Sequence, residues 1–288
     1  VIDGQLVIFL NQDWGAIPAG SLVTLSLADM AADRQVKIVT AMSPTKAQAI
    51  EDVSATDNIL WVKALDDVEG KLFALRRELK IPLALAVIPA GARTALADAV
   101  RGEPGVEILQ HGYAHANHRP DDKKKAELGA DRDLWDIARE LADGRGRMID
   151  LFGIDGWLEV MVPPWNRIDP GVINLLPGLG FHGLTTFNAR QSAEAAPDLR
   201  LINTHIDIVD WPGTRAFAGD EAVIGAAIAH LSAKRTDAAD PAEPTGLLSH
   251  HLAHDDSCWA FIERLGRATA AHPAAVWHRA SDMFGRPS

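Results

Sequence analysis

From Asn58 onward, short apolar runs alternate with polar stretches of helical period, and this alternation constrains the fold more than any other feature of the chain. Strands are predicted at 59–65, 83–88, 106–109, 157–162, 181–186, 201–208, 246–249 and 275–277, with helices over 71–80, 92–100, 131–143, 221–234 and 259–271 between them. Leu72, Leu75 and Leu79 share one face of the first of these helices, and Pro89 ends the strand 83–88 that follows it. Strands that take turns with helices pair in parallel through right-handed crossovers, which gives an α/β fold. Seven or eight strands fit a (β/α) barrel better than a doubly wound sheet, because no Gly-x-Gly-x-x-Gly turn opens any of the helices.

Residues 1–55 are less regular, with strand candidates at 6–10 and 36–40 and a helix candidate at 44–53. They are expected to form an N-terminal α/β extension along one edge of a barrel that occupies 56–288. The polar, proline-rich stretch 235–244 is a loop, since the alternation continues on both sides of it. With 288 residues and 47% hydrophobic content, the chain can bury one large core.

An excess of 39 acidic over 28 basic side chains and a pI near 5.4 exclude a binder of the nucleic-acid backbone, which would need a basic patch. The single cysteine, Cys258, excludes an intramolecular disulfide framework and a cysteine zinc cage. It sits in a helix start whose apolar residues face the core, so a buried, inert thiol is expected. The first basic residue is Arg34 and the run 6–10 is too short for a signal core or a membrane span, so the expectation is a cytoplasmic chain that does not enter a membrane.

Chemistry concentrates at predicted strand ends. Three of the eleven histidines, His111, His115 and His118, fall within eight residues at the exit of 106–109. His111 and His115 can face one cation if the backbone between them coils into a single helical turn. Asp66-Asp67, Pro163-Pro164-Trp165-Asn166, Asp207 to Trp211, and Ser249-His250-His251 end four other strands. Each set alone has a structural explanation, such as a helix cap or an aromatic plug. Together they point to one rim, since parallel α/β folds gather strand ends at one face.

In that order, Asp-Asp, His-x-x-x-His, Pro-Pro-Trp, Asp-x-x-Asp-Trp and Leu-x-His resemble the five-motif series of the polysaccharide deacetylase family, the carbohydrate esterases with a NodB homology domain, over residues 58–280. The resemblance implies a distorted (β/α) barrel of about seven parallel strands and a divalent metal, usually zinc. It further implies Asp67, His111 and His115 as metal ligands and Asp66 as the base that takes a proton from the attacking water. His250 would be the acid for the leaving amine, with Asp207 orienting it and holding its proton. Trp165, Asn166, Arg167 and Trp211 would contact an acylated carbohydrate. His118, His251 and His254 have no role in the series. Two departures stand out. Only about sixteen residues separate Asp67 from the strand at Leu83, and Val162 stands where an arginine normally steadies the base. Arg167 is then a substitute for that arginine or a surface partner of Asp169. Two alternatives remain open: a barrel with a degenerate first motif that binds a glycan or metal without turnover, and a hydrolase acting on a non-sugar amide.

Overall fold

The computed structural model describes residues 5–10, 12–32, 34–43, 48–55, 60–66 and 76–285. The chain divides into two compact units, Val1–Ala74 and Leu75–Ser288. In the first, β1 (Gln5–Phe9), β2 (Leu22–Ser26) and β3 (Val39–Met42) form an antiparallel sheet in that order. Helix α1 (Leu27–Ala31) follows β2 directly, its first turn capped by the Ser26 hydroxyl, which accepts from Asp29 N. Leu10, Val23 and Leu25 bury the small core of this sheet. Strands β4 (Gln48–Ala55) and β5 (Leu60–Asp66) make an antiparallel hairpin that runs from Gln48 opposite Asp66 to Ala55 opposite Leu60. Residues 48–53 of the predicted helix at 44–53 are therefore strand, and 44–47 lie outside the described residues. Cross-strand pairing with a partner a few residues away overrides a helix-like spacing of apolar residues.

The second unit carries the predicted alternation. After one helical turn at 76–79 come β6 (Leu83–Val87), α2 (Thr94–Val100), β7 (Val106–His111) and α3 (Leu134–Phe152). They are followed by β8 (Val160–Val162), α4 (Pro170–Leu175), β9 (Gly183–Leu184), β10 (Glu194–Ala196) and β11 (Leu199–Leu201). Then come β12 (Ile206–Asp207), α5 (Asp220–Arg235), β13 (Leu247–Leu248), α6 (Asp256–Ala270) and α7 (Ala280–Phe284). The sheet order is β10-β11-β9-β8-β7-β6, parallel except for the edge strand β10, and β12 pairs in parallel with β13 separately.

The architecture is thus α/β with a parallel-rich sheet, as the alternation requires. The hydrogen-bonded ladder does not close into a barrel among the described residues, and it holds five parallel strands plus a separate pair rather than about seven in one ring. The predicted strand 201–208 is interrupted. Asn203 turns its amide N–H to the buried carboxylate of Glu243 and its side-chain oxygen to Thr186, so only the single bridge from Thr204 to Phe187 spans the break. The stretch 275–277 forms no strand; the Trp277 indole is tied back to Thr269 on α6 instead.

Strand alternation divides the core. Ile108 and Met161 face a layer built by α3 and α4, in which Ile137, Leu141 and Met148 recur at helical spacing along α3. Their neighbours Leu109 and Val160 face the other side, where Phe284 of α7 covers them. Gly144 lets α3 pass close over the sheet, since a β-carbon there would stand 2.6 Å from the Gln110 side chain. A third cluster, with Ile208, Val223 and Phe261, seats α5 and α6 against β12.

Candidate active site

The strand β7 ends on His111, whose Nδ1 lies 2.8 Å from the Val162 carbonyl on β8. A carbonyl only accepts, so Nδ1 carries the proton and Nε2 presents a lone pair. Burial drives the His111 pKa from 6.5 down to about 4, against the Val162 hydrogen bond that favours the cation, and the charges of His115 and His250 lower it further.

His115 reaches the same region by a different route from the expected helical turn. Gly112 and His115 both take left-handed backbone, each at φ +54°, and the bent segment brings the two imidazole centroids to 5.1 Å. Glu127, fully buried, holds the bend: its Oε1 accepts from Ala114 N at 2.7 Å and its Oε2 from Tyr113 N at 3.3 Å. Only glycine fits at 112, because a β-carbon there would lie 2.2 Å from Glu127 Oε2 and 2.7 Å from Pro164. Burial also lowers the pKa of His115, with Glu127 opposing. Both imidazoles are therefore neutral near pH 7, the form that binds a cation.

The loop after β8 supplies Trp165, whose ring lies 4.3 Å from His115. Trp165 and Asn166 are consecutive left-handed residues at φ +55°, a conformation that costs roughly 1–2 kcal/mol per residue and turns the chain sharply. The amides of Asn166 and Arg167 are donated to Pro163 O and Pro164 O within this turn. Asn166 and Arg167 line a cavity of about 710 Å³, with Phe187 and Thr186 among its other walls. Arg167 donates to Lys125 O, and Asp169 caps α4 by accepting from Gly171 N, so the surface pair between Arg167 and Asp169 does not form.

Asp207, at the end of β12, stands 3.0 Å from His250 Nε2 through its Oδ2. The same oxygen accepts from Trp211 Nε1 at 2.9 Å and Oδ1 accepts from Val209 N, so the carboxylate is fixed on both sides. Trp211 stands edge-on to the His250 ring at 4.7 Å. The charge of His250 acts on both His111 and His115, which places these four side chains in one electrostatic neighbourhood.

Asp66 is the last residue of β5, in the antiparallel hairpin of the first unit rather than on the parallel sheet, and Asp67 lies outside the described residues. His118 is exposed. Cys258 is buried, and burial pushes its thiol up to about 11, as expected for an inert cysteine.

Two features were not anticipated. His254, just after His250 and His251, is half-buried, with both ring nitrogens buried and neither hydrogen-bonded, and burial followed by the charges of His251 and His250 lowers its pKa to about 4. His205, His230 and Glu243 bring three donor atoms within 4.8 Å of one another, the one such group among the described residues. Hydrogen bonds at the two Nδ1 atoms and a close His205–Glu243 contact tie this group into a lock, while His205 Nε2 and His230 Nε2 have no hydrogen-bond partner. Gly246 N donates to His205 Nδ1, which puts the ring proton on Nε2, 3.2 Å from Glu243 Oε2. The two imidazoles stack at 3.6 Å and 20°, so their in-plane lone pairs do not converge on one point. Burial opposes the ionised form of Glu243, but His205 and the Arg190 and Asn203 amides outweigh it and lower its pKa. Because His205 and Gly246 immediately precede β12 and β13, this lock sets the strands that carry Asp207 and His250.

No helix among the described residues is long and apolar enough to cross a membrane. No protein-family model matches the chain, and no curated protein does. Among solved structures, a Mycobacterium smegmatis protein described as a polysaccharide deacetylase matches with a TM-score of 0.53 and 16% identity over 75% of each chain. A Pseudomonas aeruginosa PAO1 protein described in the same way matches with a TM-score of 0.49 and 14% identity over 77% of this chain and 78% of its own. The first likeness is one of fold, and it is to a protein that bears the name of the family whose motif series this sequence resembles.

Proposed function

We propose that the chain is a metal-dependent hydrolase that removes an acyl group, N-linked or O-linked, from a carbohydrate. The observation that carries this reading is the pair of neutral imidazoles, His111 with its Nε2 lone pair free, set beside the hydrogen-bonded Asp207–His250 pair. His111 fits a divalent cation by tautomer, both His111 and His115 fit one by protonation state, and Asp67 is the carboxylate proposed to join them. Zinc is the cation such a donor set favours. When bound it supplies Lewis acidity, which makes water nucleophilic near neutral pH and polarises the acyl oxygen.

This chain's own residues then carry the protons. Asp66 takes one from the attacking water, and His250 gives one to the departing nitrogen or oxygen. Asp207 keeps His250 turned to its task, since Trp211 and the Val209 amide leave the carboxylate one orientation. Trp165 and Trp211 present aromatic faces to the sugar, and Asn166 and Arg167 lead from the histidines into the adjoining cavity.

The test combines elemental analysis of the purified protein with acetate release from N-acetylated and O-acetylated oligosaccharides. About one zinc per chain and acetate release are expected, with Asp66→Asn retaining the metal and losing turnover. A wild type that holds no metal and gains no activity when zinc is supplied would overturn the proposal. Turnover of simple acylated amines but of no sugar would move the substrate class.

A further inference from the structure

Helix α5 packs Val223, Ala226, Ala227 and His230 inward, yet it also presents large apolar side chains outward. Ile224, Ile228 and Leu231 are 46%, 58% and 49% exposed. At 100° per residue these three, with Glu221 before them and Arg235 after them, fall within an arc of about 80° and follow the 3-4-3-4 spacing of a coiled-coil seam. Beside this ridge runs a row of small exposed residues, Ala222, Gly225, Ala229 and Ser232, and a β-carbon added at Gly225 would meet nothing within 4 Å. The exposed face thus holds both a ridge and a groove of matching pitch.

We infer that this face is a homodimer interface in which α5 pairs antiparallel with α5 of a second copy across a two-fold axis at Ile228. Charge and sequence position select this occupant. Ile228 is the midpoint between Glu221 and Arg235, so an antiparallel pairing centred there sets Glu221 of each copy against Arg235 of the other. Both end residues are exposed and neither has an ion-pair partner among the described residues, whereas neighbouring Asp220 is engaged by Arg264. A parallel pairing would instead stack like charges at both ends. Across this two-fold the two ridges meet each other, Ile228 against Ile228, and the two small-residue rows lie side by side next to them, as an isologous contact requires. The seam between Glu221 and Arg235 is about 21 Å long at 1.5 Å per residue. One helix pair of that length sits at the low end of interface sizes, so a reversible dimer of roughly micromolar affinity is expected.

Sedimentation equilibrium over a concentration series, on the full chain, tests the inference. The wild type should show a monomer–dimer equilibrium, and Ile228→Glu, an exposed substitution whose fold is checked by circular dichroism, should abolish it. Glu221→Arg should weaken the dimer at least tenfold, and Glu221→Arg combined with Arg235→Glu should restore it. Ile228→Cys should form a disulfide-linked dimer under mild oxidation, since position 228 meets its own copy on the axis and buried Cys258 does not compete. A wild type that stays monomeric throughout, a dimer that survives Ile228→Glu, or a charge swap that fails to restore association would each overturn it.

Discussion

Glu127 lies outside every motif, yet the histidine pair depends on it. Its carboxylate is fully buried and accepts from Ala114 N and Tyr113 N across the bend that turns His115 toward His111. Glu127→Ala would leave two amides without their acceptor, at about 1–3 kcal/mol each. The 3.3 Å bond to Tyr113 is the weaker, which places the expected loss of stability at about 2–4 kcal/mol. The left-handed conformation at His115 would then lose its external support, and the two imidazoles would meet at 5.1 Å in only a fraction of molecules. Residues that orient metal ligands are worth about 10–100-fold in affinity, and a loss in that range is expected. Urea denaturation measures the first quantity and competition with a chromogenic chelator the second. Glu127→Gln separates them, since its amide oxygen can still accept one of the two N–H groups and should recover part of both losses. An alanine variant that unfolds at the wild-type midpoint and binds zinc within twofold of wild type would show that the bend is held by other means.

Asp207→Asn should lower kcat by about 10²–10⁴ with zinc content unchanged, because it disturbs only the partner of the proton donor; equal activity would remove Asp207 from the mechanism. The metal-free protein should lose stability as the pH falls. His111 and His254 have folded pKa values near 4 against 6.5 for an ordinary histidine, so the unfolded chain takes up protons first, and the loss runs from about pH 6.5 down to about pH 4. Flat denaturation midpoints across that window would contradict the burial of both rings. Cys258 should resist alkylation at pH 8 in the folded protein and react fully in denaturant, since its thiol titrates near 11; fast native labelling would refute this. Glu243→Gln should reduce stability while leaving zinc content unchanged, and a drop in bound metal would revive the His205–His230–Glu243 cluster as a cation site.

What the sequence revealed and what it hid follow from how local each cause is. The strands at β6 and β7 and the helix α3 were legible because apolar spacing marks a face that must be buried. Residues 48–53 read as helix in sequence, because their strand state depends on a partner, β5, and not on their own residues. The break after β11 was hidden for the same reason: it is Glu243, forty residues on, that draws the Asn203 amide out of the strand. At the site, the placement of His111 at a strand end was local and visible. The bend from Gly112 to His115 was not, because its cause is a carboxylate at 127. Nor does anything near Asp207 announce that parallel pairing of β12 with β13 brings it to His250; only the order of motifs suggested it.

The contact between His111 and Val162 spans 51 residues, and it decides which ring nitrogen is left free. A peptide carrying residues 106–118 has the same histidines but no fixed tautomer and no fixed bend, so it should bind zinc as an ordinary pair of histidines does. Tight binding of the proposed zinc is expected only once β8 has docked beside β7, and so only after Val162 has been made. On the proposed function, the point at which the histidine pair begins to hold zinc tightly would mark the assembly of the centre of the sheet.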